Sequence, residues 1–347
     1  MGGKRELLAD LLFKSRLTGL ISRFPVHNQL VVLNYHRIRP DSAEAPTLFD
    51  DGVYTAKAEQ FFRQMRWLKR HARILSEQDL IDWIEKDPRS DQKTKCPSVV
   101  ITFDDGYIDN YSIAYPILKS LLIPAMFFIC TEMIWERKLR WWDVLAYLIK
   151  QCRKSSLVLD GHEYPLRNNR LKLIAELQSR MKQYPSERIE RDIRLLAGVT
   201  EMDLPPDDVQ DRELMTREQI REMSANRMAI GSHAHTHQAL SCLDHGQHEM
   251  ELTVSKQLLE EATGKPVRSV SYPFGLYQYI PSAILDAAGK CGYRLGFTSN
   301  YGVNYLHEMN GMALKRFSGD LEKVSKASLI TVWPELFACK DEGLSEW

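Results

Sequence analysis

The sequence predicts an α/β fold of short buried strands alternating with helices, and three observations carry that expectation. The run Val99-Val100-Ile101-Thr102-Phe103 is apolar and largely β-branched, as expected of a parallel strand covered on both faces. Strand-like runs recur at 31–36, 99–103, 125–130, 228–231, 268–272, 293–298 and 313–317, with helical spacing between most of them. The 99–103 run also stops abruptly in Asp104-Asp105-Gly106. The C-terminal ends of strands are where α/β folds gather ligands and reacting groups. A single Asp there would read as a helix cap before a turn. Two in succession exceed what a cap needs.

The chain of 347 residues is longer than one ordinary core, but an α/β barrel reaches this length as a single domain. An apolar content of 44% is enough for a real interior. Basic and acidic residues balance at 46 each, so no bulk charge favours nucleic acid, and none is expected as a partner. The six cysteines, at 96, 130, 152, 242, 291 and 339, form no CxxC pair and read as reduced rather than as a disulfide framework. There is no internal repeat and no apolar run long enough to span a bilayer.

In chain order, residues 1–24 read as a leucine-rich helix interspersed with Lys4, Arg5, Lys14, Arg16 and Arg23. No apolar core with a small-residue cleavage site marks a secretory signal, so a cytoplasmic location is expected. The helix docks on the main fold or, in the alternative reading, lies peripherally on the inner face of a membrane. The strand at 31–36 ends in Tyr35-His36; helices follow at 56–70 and from 79, with a short strand or turn at 74–76. After the aspartates, 110–122 is helical. Residues 135–215 then break the rhythm, with Arg, Lys, Glu and Leu at helical spacing and Pro185, Pro205 and Pro206 as punctuation. They read as a helical insertion opened by Arg140-Trp141-Trp142-Asp143. Its tryptophans serve as packing or, alternatively, stack on sugar faces as part of a substrate lid. Thr216 is expected to cap the helix that follows. The helix over 249–263 should stop at Gly264-Lys265-Pro266, and another helix spans 280–291. The expected units are 1–28 as N-terminal helix, 29–134 with 216–325 as the main domain, 135–215 as insertion and 326–347 as tail.

The stretch Gly231-Ser232-His233-Ala234-His235-Thr236-His237 places His233 and His237 at i, i+4, a spacing that sets two imidazoles on one side of a helical turn. With a strand-end carboxylate they make a His₂-carboxylate metal site. Three protein ligands leave one position open, which is the catalytic rather than the structural arrangement. His235 is the replacement ligand if the loop register differs. His27, His71, His162, His245, His248 and His307 have no partner pattern and read as surface residues.

Thr102-Phe103-Asp104-Asp105-Gly106 and Gly231-Ser232-His233-x3-His237 resemble the first two motifs of the polysaccharide deacetylase family (carbohydrate esterase family 4, NodB-like). Tyr107-x-Asp109-Asn110-Tyr111 and Ile123-Pro124-Ala125-Met126-Phe127-Phe128 resemble the wording around its first motif. The likeness runs roughly over 30–135 and 213–320. It implies a distorted (β/α)7 barrel, and the seven strand-like runs agree with that count. It also implies metal-dependent N-deacetylation, with Asp105, His233 and His237 as ligands and the neighbouring Asp104 as general base on water. Because successive residues of a strand point to opposite faces, the chain must turn for both carboxylates to reach one site, and Gly106 permits the turn. The 31–36 segment resembles a permuted branch in which the Leu-x-x-His motif comes first, making His36 the general acid. Tyr272-Pro273-Phe274-Gly275 resembles the third motif, which implies that the Phe274 N–H serves the oxyanion. Tyr272 and Pro273 are expected at the substrate, as are Trp141 and Trp142 under the lid reading. This chain carries Ser271 where the family usually has a base-orienting arginine. Arg316, on the last strand and also counted with the substrate contacts, is expected to substitute for it in space.

The ligand set suits Zn2+, although cobalt, nickel or iron fits similar geometry. The expected activity is removal of N-acetyl groups from an amino sugar during assembly of an exopolysaccharide or surface glycan. The alternatives are a deformylase or deacetylase of a lipid-linked amino sugar, and a barrel that binds carbohydrate without chemistry.

Overall fold

The computed structural model describes residues 2–24, 26–27, 29–42, 47–85, 93–94, 96–318, 321 and 323–337. Seven strands form one curled sheet path: β1 Gln29–Tyr35, β2 Ser98–Phe103, β3 Met126–Ile129, β4 Ala229–Ser232, β5 Ser269–Ser271, β6 Leu295–Phe297 and β7 Asn304–Tyr305. Their order is β6-β5-β4-β3-β2-β1-β7, parallel except for the antiparallel edge β7, and the short strand Arg73–Ile74 adds to β2. The 313–317 segment, expected as a strand, forms single parallel bridges to β1 and β6: Phe317 with Leu33 and Leu314 with Phe297. Those bridges curl the sheet toward a barrel. The sequence-derived runs thus locate β1 to β6, with β1 and β2 each one residue longer than expected and β3, β5 and β6 shorter, while β7 was not expected.

Period-two alternation sorts the strand side chains into two cores. Leu30, Val32, Val100, Met126, Phe128 and Phe297 pack together on one face of the sheet. Val31, Leu33, Val99, Ile101, Phe103 and Phe127 pack on the other, beneath helices such as Ala58–His71. Caps follow the sequence closely. Thr216 caps the helix Arg217–Ala225 through a capping box, and Gly264, at φ 68°, ends the helix His245–Thr263.

The insertion is not wholly helical. The helices Trp141–Gln151, Arg170–Met181, Ser186–Thr200 and Asp207–Asp211 are joined by a two-stranded hairpin, Ser156–Leu159 with His162–Pro165. Asp160-Gly161 supplies its turn, with both φ angles positive. Leu145, Leu148, Leu173, Ile189 and Leu196 give this region its own core. The expected tail is partly structured too: Val324–Val332 is a helix with most side chains buried, packed on the N-terminal helix Gly2–Lys14. Its last ten positions, 338–347 with Cys339, lie outside the described residues, as do the side chain of His27 and the ends of the 1–28 unit at 1, 25 and 28. His248, expected at the surface, is buried, and its Nε2 lies 2.8 Å from the Leu240 carbonyl. No disulfide forms among the described residues, and Cys130 is buried with its thiol pushed up to about 12 by that burial.

Candidate functional site

β2 delivers its two aspartates to one place because the chain turns sharply after Phe103. The turn is made at Asp105 itself, φ 79°, and continued by Gly106, φ 114°. A non-glycine residue in the left-handed region carries strain of order 1–3 kcal/mol, which the surroundings must offset. The freedom assigned to Gly106 is therefore shared with the carboxylate residue.

The histidine motif follows β4, but not as a helical turn. Residues 233–237 form a loop in which Ala234 (φ 58°) and His237 (φ 59°) both take left-handed backbone. The loop is held from outside. Glu251, buried on the 245–263 helix, accepts the His235 and Thr236 N–H groups at 2.8 Å each and the Thr236 hydroxyl at 2.5 Å. Arg140 donates to the Thr236 carbonyl at 2.6 Å. His235 turns its Nδ1 to Thr131 Oγ1 at 2.9 Å, away from the other two histidines' cluster.

Asp105, His233 and His237 converge. Asp105 Oδ1 lies 3.5 Å from His233 Nε2 and 3.4 Å from His237 Nε2, and all three side chains are buried. Ligands about 2.1 Å from a tetrahedrally bound zinc stand roughly 3.4 Å apart, so the spacing fits a shared ion. The chemistry of the donors fits as well. The His233 Nδ1–H donates to the Ser271 carbonyl at 2.7 Å, which leaves Nε2 with its lone pair turned to the site. Burial pushes the His233 imidazole down to about 4, so it is neutral at pH 7. Burial opposes the Asp105 charge, but hydrogen bonding to His237 and the nearby imidazoles hold its carboxyl below the ordinary range.

Asp104 has a different set of partners. Arg316 approaches it with two bonds, Nη1 to Oδ1 at 2.9 Å and Nη2 to Oδ2 at 2.8 Å, and Asn34 Nδ2 donates to Oδ2 at 3.0 Å. The other Arg316 donors reach the Thr298 carbonyl, Asn34 Oδ1 and Ser271 Oγ at 2.7, 2.7 and 2.9 Å. Ser271, standing where an arginine was expected, thus touches the arginine that takes its place. Burial alone would raise Asp104; the Arg316 charge overrides it and holds the carboxyl far below the ordinary range. Arg316 is fully buried, which removes it from the expected substrate contacts and makes it a holder of Asp104. His36 Nε2 lies 3.9 Å from Asp104 Oδ2 and is partly exposed.

The remaining wall is aromatic. Phe274 takes left-handed backbone, φ 59°, and its ring meets His237 at 5.0 Å. Its N–H bonds to no other group among the described residues. A Cβ on Gly275 would lie 2.1 Å from Ser299 Oγ, so only glycine closes that turn. Trp142 packs on His237 at 4.6 Å and donates its Nε1–H to the Tyr107 hydroxyl at 2.8 Å. Tyr107 in turn donates to the buried Asp143 at 2.6 Å. Trp141 stands edge-on to Trp142 and belongs to the insertion's packing. Tyr272 and Pro273 are both buried, and the Tyr272 hydroxyl donates to the Met312 carbonyl at 3.0 Å. Their side chains are therefore support rather than the expected substrate surface.

Sequence reasoning missed Asn34, Glu251, Tyr107 and Asp143. Three carried a signal: Asn34 is a polar residue inside an apolar strand, two positions before His36, Tyr107 stands in the wording around the first motif, and Asp143 follows the tryptophan pair.

The family model described as "Polysaccharide deacetylase" matches residues 91–296. Over 160 residues the chain is 31% identical to the poly-beta-1,6-N-acetyl-D-glucosamine N-deacetylase of Staphylococcus aureus, covering 42% of this chain and 53% of that protein. It is 24% identical over 246 residues to a Bacillus subtilis protein provisionally named polysaccharide deacetylase YxkH, covering 71% of this chain and 59% of the other. The chain thus spans somewhat over half the length of these relatives. Among solved structures, the Streptococcus pyogenes deacetylase PplD superposes with a TM-score of 0.56 at 19% identity, over 89% of this chain and all of that one. IcaB from Ammonifex degensii gives 0.52 at 18% identity, over 88% and 97%. At such identities these two show a shared fold.

Proposed function

The chain belongs to the polysaccharide deacetylase family, and from that premise we propose that it is a zinc-dependent hydrolase removing N-acetyl groups from an amino sugar in a polysaccharide or its precursor. One observation carries the reading: three buried ligands at a common point beside a second carboxylate whose charge is fixed by other partners. An ion held by Asp105, His233 and His237 would supply a water acidic enough to lose its proton near neutral pH and polarise the acyl oxygen. Asp104 takes that proton, its carboxylate kept ionised and oriented by Arg316 and Asn34. The new carbon–oxygen bond forms as the Phe274 N–H donates to the acyl oxygen. His36, on the open side of Asp104, gives a proton to the nitrogen as the carbon–nitrogen bond breaks, so acetate and a free amine leave. Trp142 and Phe274 flank His237 and limit water at the reacting centre.

The likeness to an enzyme named for poly-beta-1,6-N-acetyl-D-glucosamine supports an N-acetylglucosamine polymer as substrate. The test is acetate release from N-acetylglucosamine oligomers by the zinc-loaded protein and by Asp104→Asn. Release by the wild type and not by the variant supports the reading. Equal release by both removes Asp104 as base, and binding without release would favour a carbohydrate-binding barrel.

A further inference from the structure

The two N-terminal helices, α1 Gly2–Lys14 and α2 Leu17–Ile21, carry a surface that the chemistry above does not use. They are docked rather than loose. Ala9 and Thr18 are buried, Glu6 pairs with Lys323 at 3.1 Å, and Ser325 donates to Asp10. The same segment leaves Leu7, Leu8, Leu11, Leu17, Leu20 and Phe24 exposed, with Leu7 at 72% and Leu11 at 65%. Monomers seldom leave so many large apolar side chains uncovered within so short a segment.

The surroundings of this patch are basic, although the chain as a whole is neutral. Lys4, Arg5, Lys14, Arg16 and Arg23 are exposed among the leucines. Beside them the helix Ala58–His71 presents Arg63, which is paired with Glu59 at 2.7 Å, together with Arg66 and Arg70, spaced to share one face. Two adjoining clefts, of about 830 and 610 Å³, lie between these helices. Lys14, Arg70 and the stacked pair Trp67–His71 line both. Among the described residues, Asp10 is the one carboxylate lining the first cleft and none lines the second.

We propose that α1, α2 and the exposed face of the Ala58–His71 helix dock on an anionic phospholipid bilayer. The leucines and Phe24 enter the boundary between acyl chains and headgroups, and the lysines and arginines meet the phosphates. Large apolar side chains with flanking cations are what a surface-lying element needs. The proposed mode is surface attachment; among the described residues no helix is long and apolar enough to cross a membrane. A second copy of the chain is the poorer occupant. A twofold interface sets a patch against itself, which would bring these same cations together.

The full chain, zinc-loaded, is floated with phosphatidylcholine vesicles with and without phosphatidylglycerol. The expected result is about tenfold or greater preference for the anionic vesicles, decaying as salt is raised. Leu7→Ser with Leu11→Ser, and separately Arg16→Gln with Arg23→Gln, should each lower partitioning about tenfold while melting temperature and zinc content stay at wild-type values. Binding to neither vesicle, equal binding to both, or unchanged partitioning of the variants would overturn the proposal. So would a concentration-dependent dimer that the leucine variants dissolve. The zinc readout keeps the two readings separable, since loss of the hydrolase reading leaves vesicle binding as it is.

Discussion

On the barrel side of the cleft, buried polar bonds hold Asp104, His233 and the loop that carries His237. Arg316 and Asn34 fix Asp104, the Ser271 carbonyl fixes His233, and Glu251 fixes the loop that carries His237. On the insertion side the contact with the site is made by packing. Trp142 rests on His237 at the start of a helix whose later residues, Leu145 and Leu148, belong to a separate apolar core. The difference teaches how the labour is divided. In the proposed mechanism, charge and proton chemistry fall on residues oriented by directional polar bonds, and the insertion contributes shape by packing on His237. Polar bonds in a low-dielectric setting are directional and costly to leave half-made, whereas packing tolerates small shifts.

The largest test of this contrast is Asp104→Asn. It should lower turnover by two to four powers of ten, with zinc content and melting temperature near wild type, as read by steady-state kinetics and thermal melts. Arg316→Ala comes next. It leaves Asp104 buried without its cation and should cost about 3–5 kcal/mol of stability by denaturant titration. If it melts like wild type, the bidentate pair contributes little and the barrel side is less dependent on charge than argued. On the other side, Leu148→Ala should cost about 2–5 kcal/mol by opening a cavity in the insertion's core. Hydrogen exchange should show that loss confined to 141–200, with zinc still bound. A loss of zinc instead would erase the distinction between the two sides.

Smaller effects sharpen it further. Trp142→Phe keeps a ring near His237 and gives up the bond to Tyr107, at about 1 kcal/mol, whereas Trp142→Ala should lower kcat/KM about tenfold or more. Asp143 supplies a pH signature. Burial pushes its carboxyl up to about 7, above its value in the unfolded chain. The folded state therefore binds the extra proton between pH 4 and 7, and the stability this contributes is lost as pH rises through 7. Measured against Asp143→Asn, which lacks this group, the wild type should lose stability by on the order of 1 kcal/mol per pH unit across that window.

Much of this was legible in the chain itself. The run ending in Asp104-Asp105 and the pair His233 and His237 are local patterns, and strand-end logic assigns them to one rim. The replacement of an arginine at Ser271 by Arg316 was readable only as an expectation, because 45 positions separate them and only barrel curvature joins them. Other details were not legible. The His motif looks helical by spacing, yet Ala234 and His237 take left-handed backbone, because Glu251 and Arg140 dictate the path from outside the motif. Tyr272 resembles a substrate contact in sequence, but its hydroxyl is spent on Met312. The hairpin at 156–165 hid inside a helical composition; Asp160-Gly161 was its one local signal.

The most direct test of the central claim is the zinc content of purified wild-type protein beside Asp105→Ala, His233→Ala and Asp104→Asn. One zinc per chain in the wild type and in Asp104→Asn, lost in the other two without unfolding, is the result predicted for a three-ligand centre with a separate base. Little zinc in the wild type after supplementation, or equal retention in all four proteins, would contradict it.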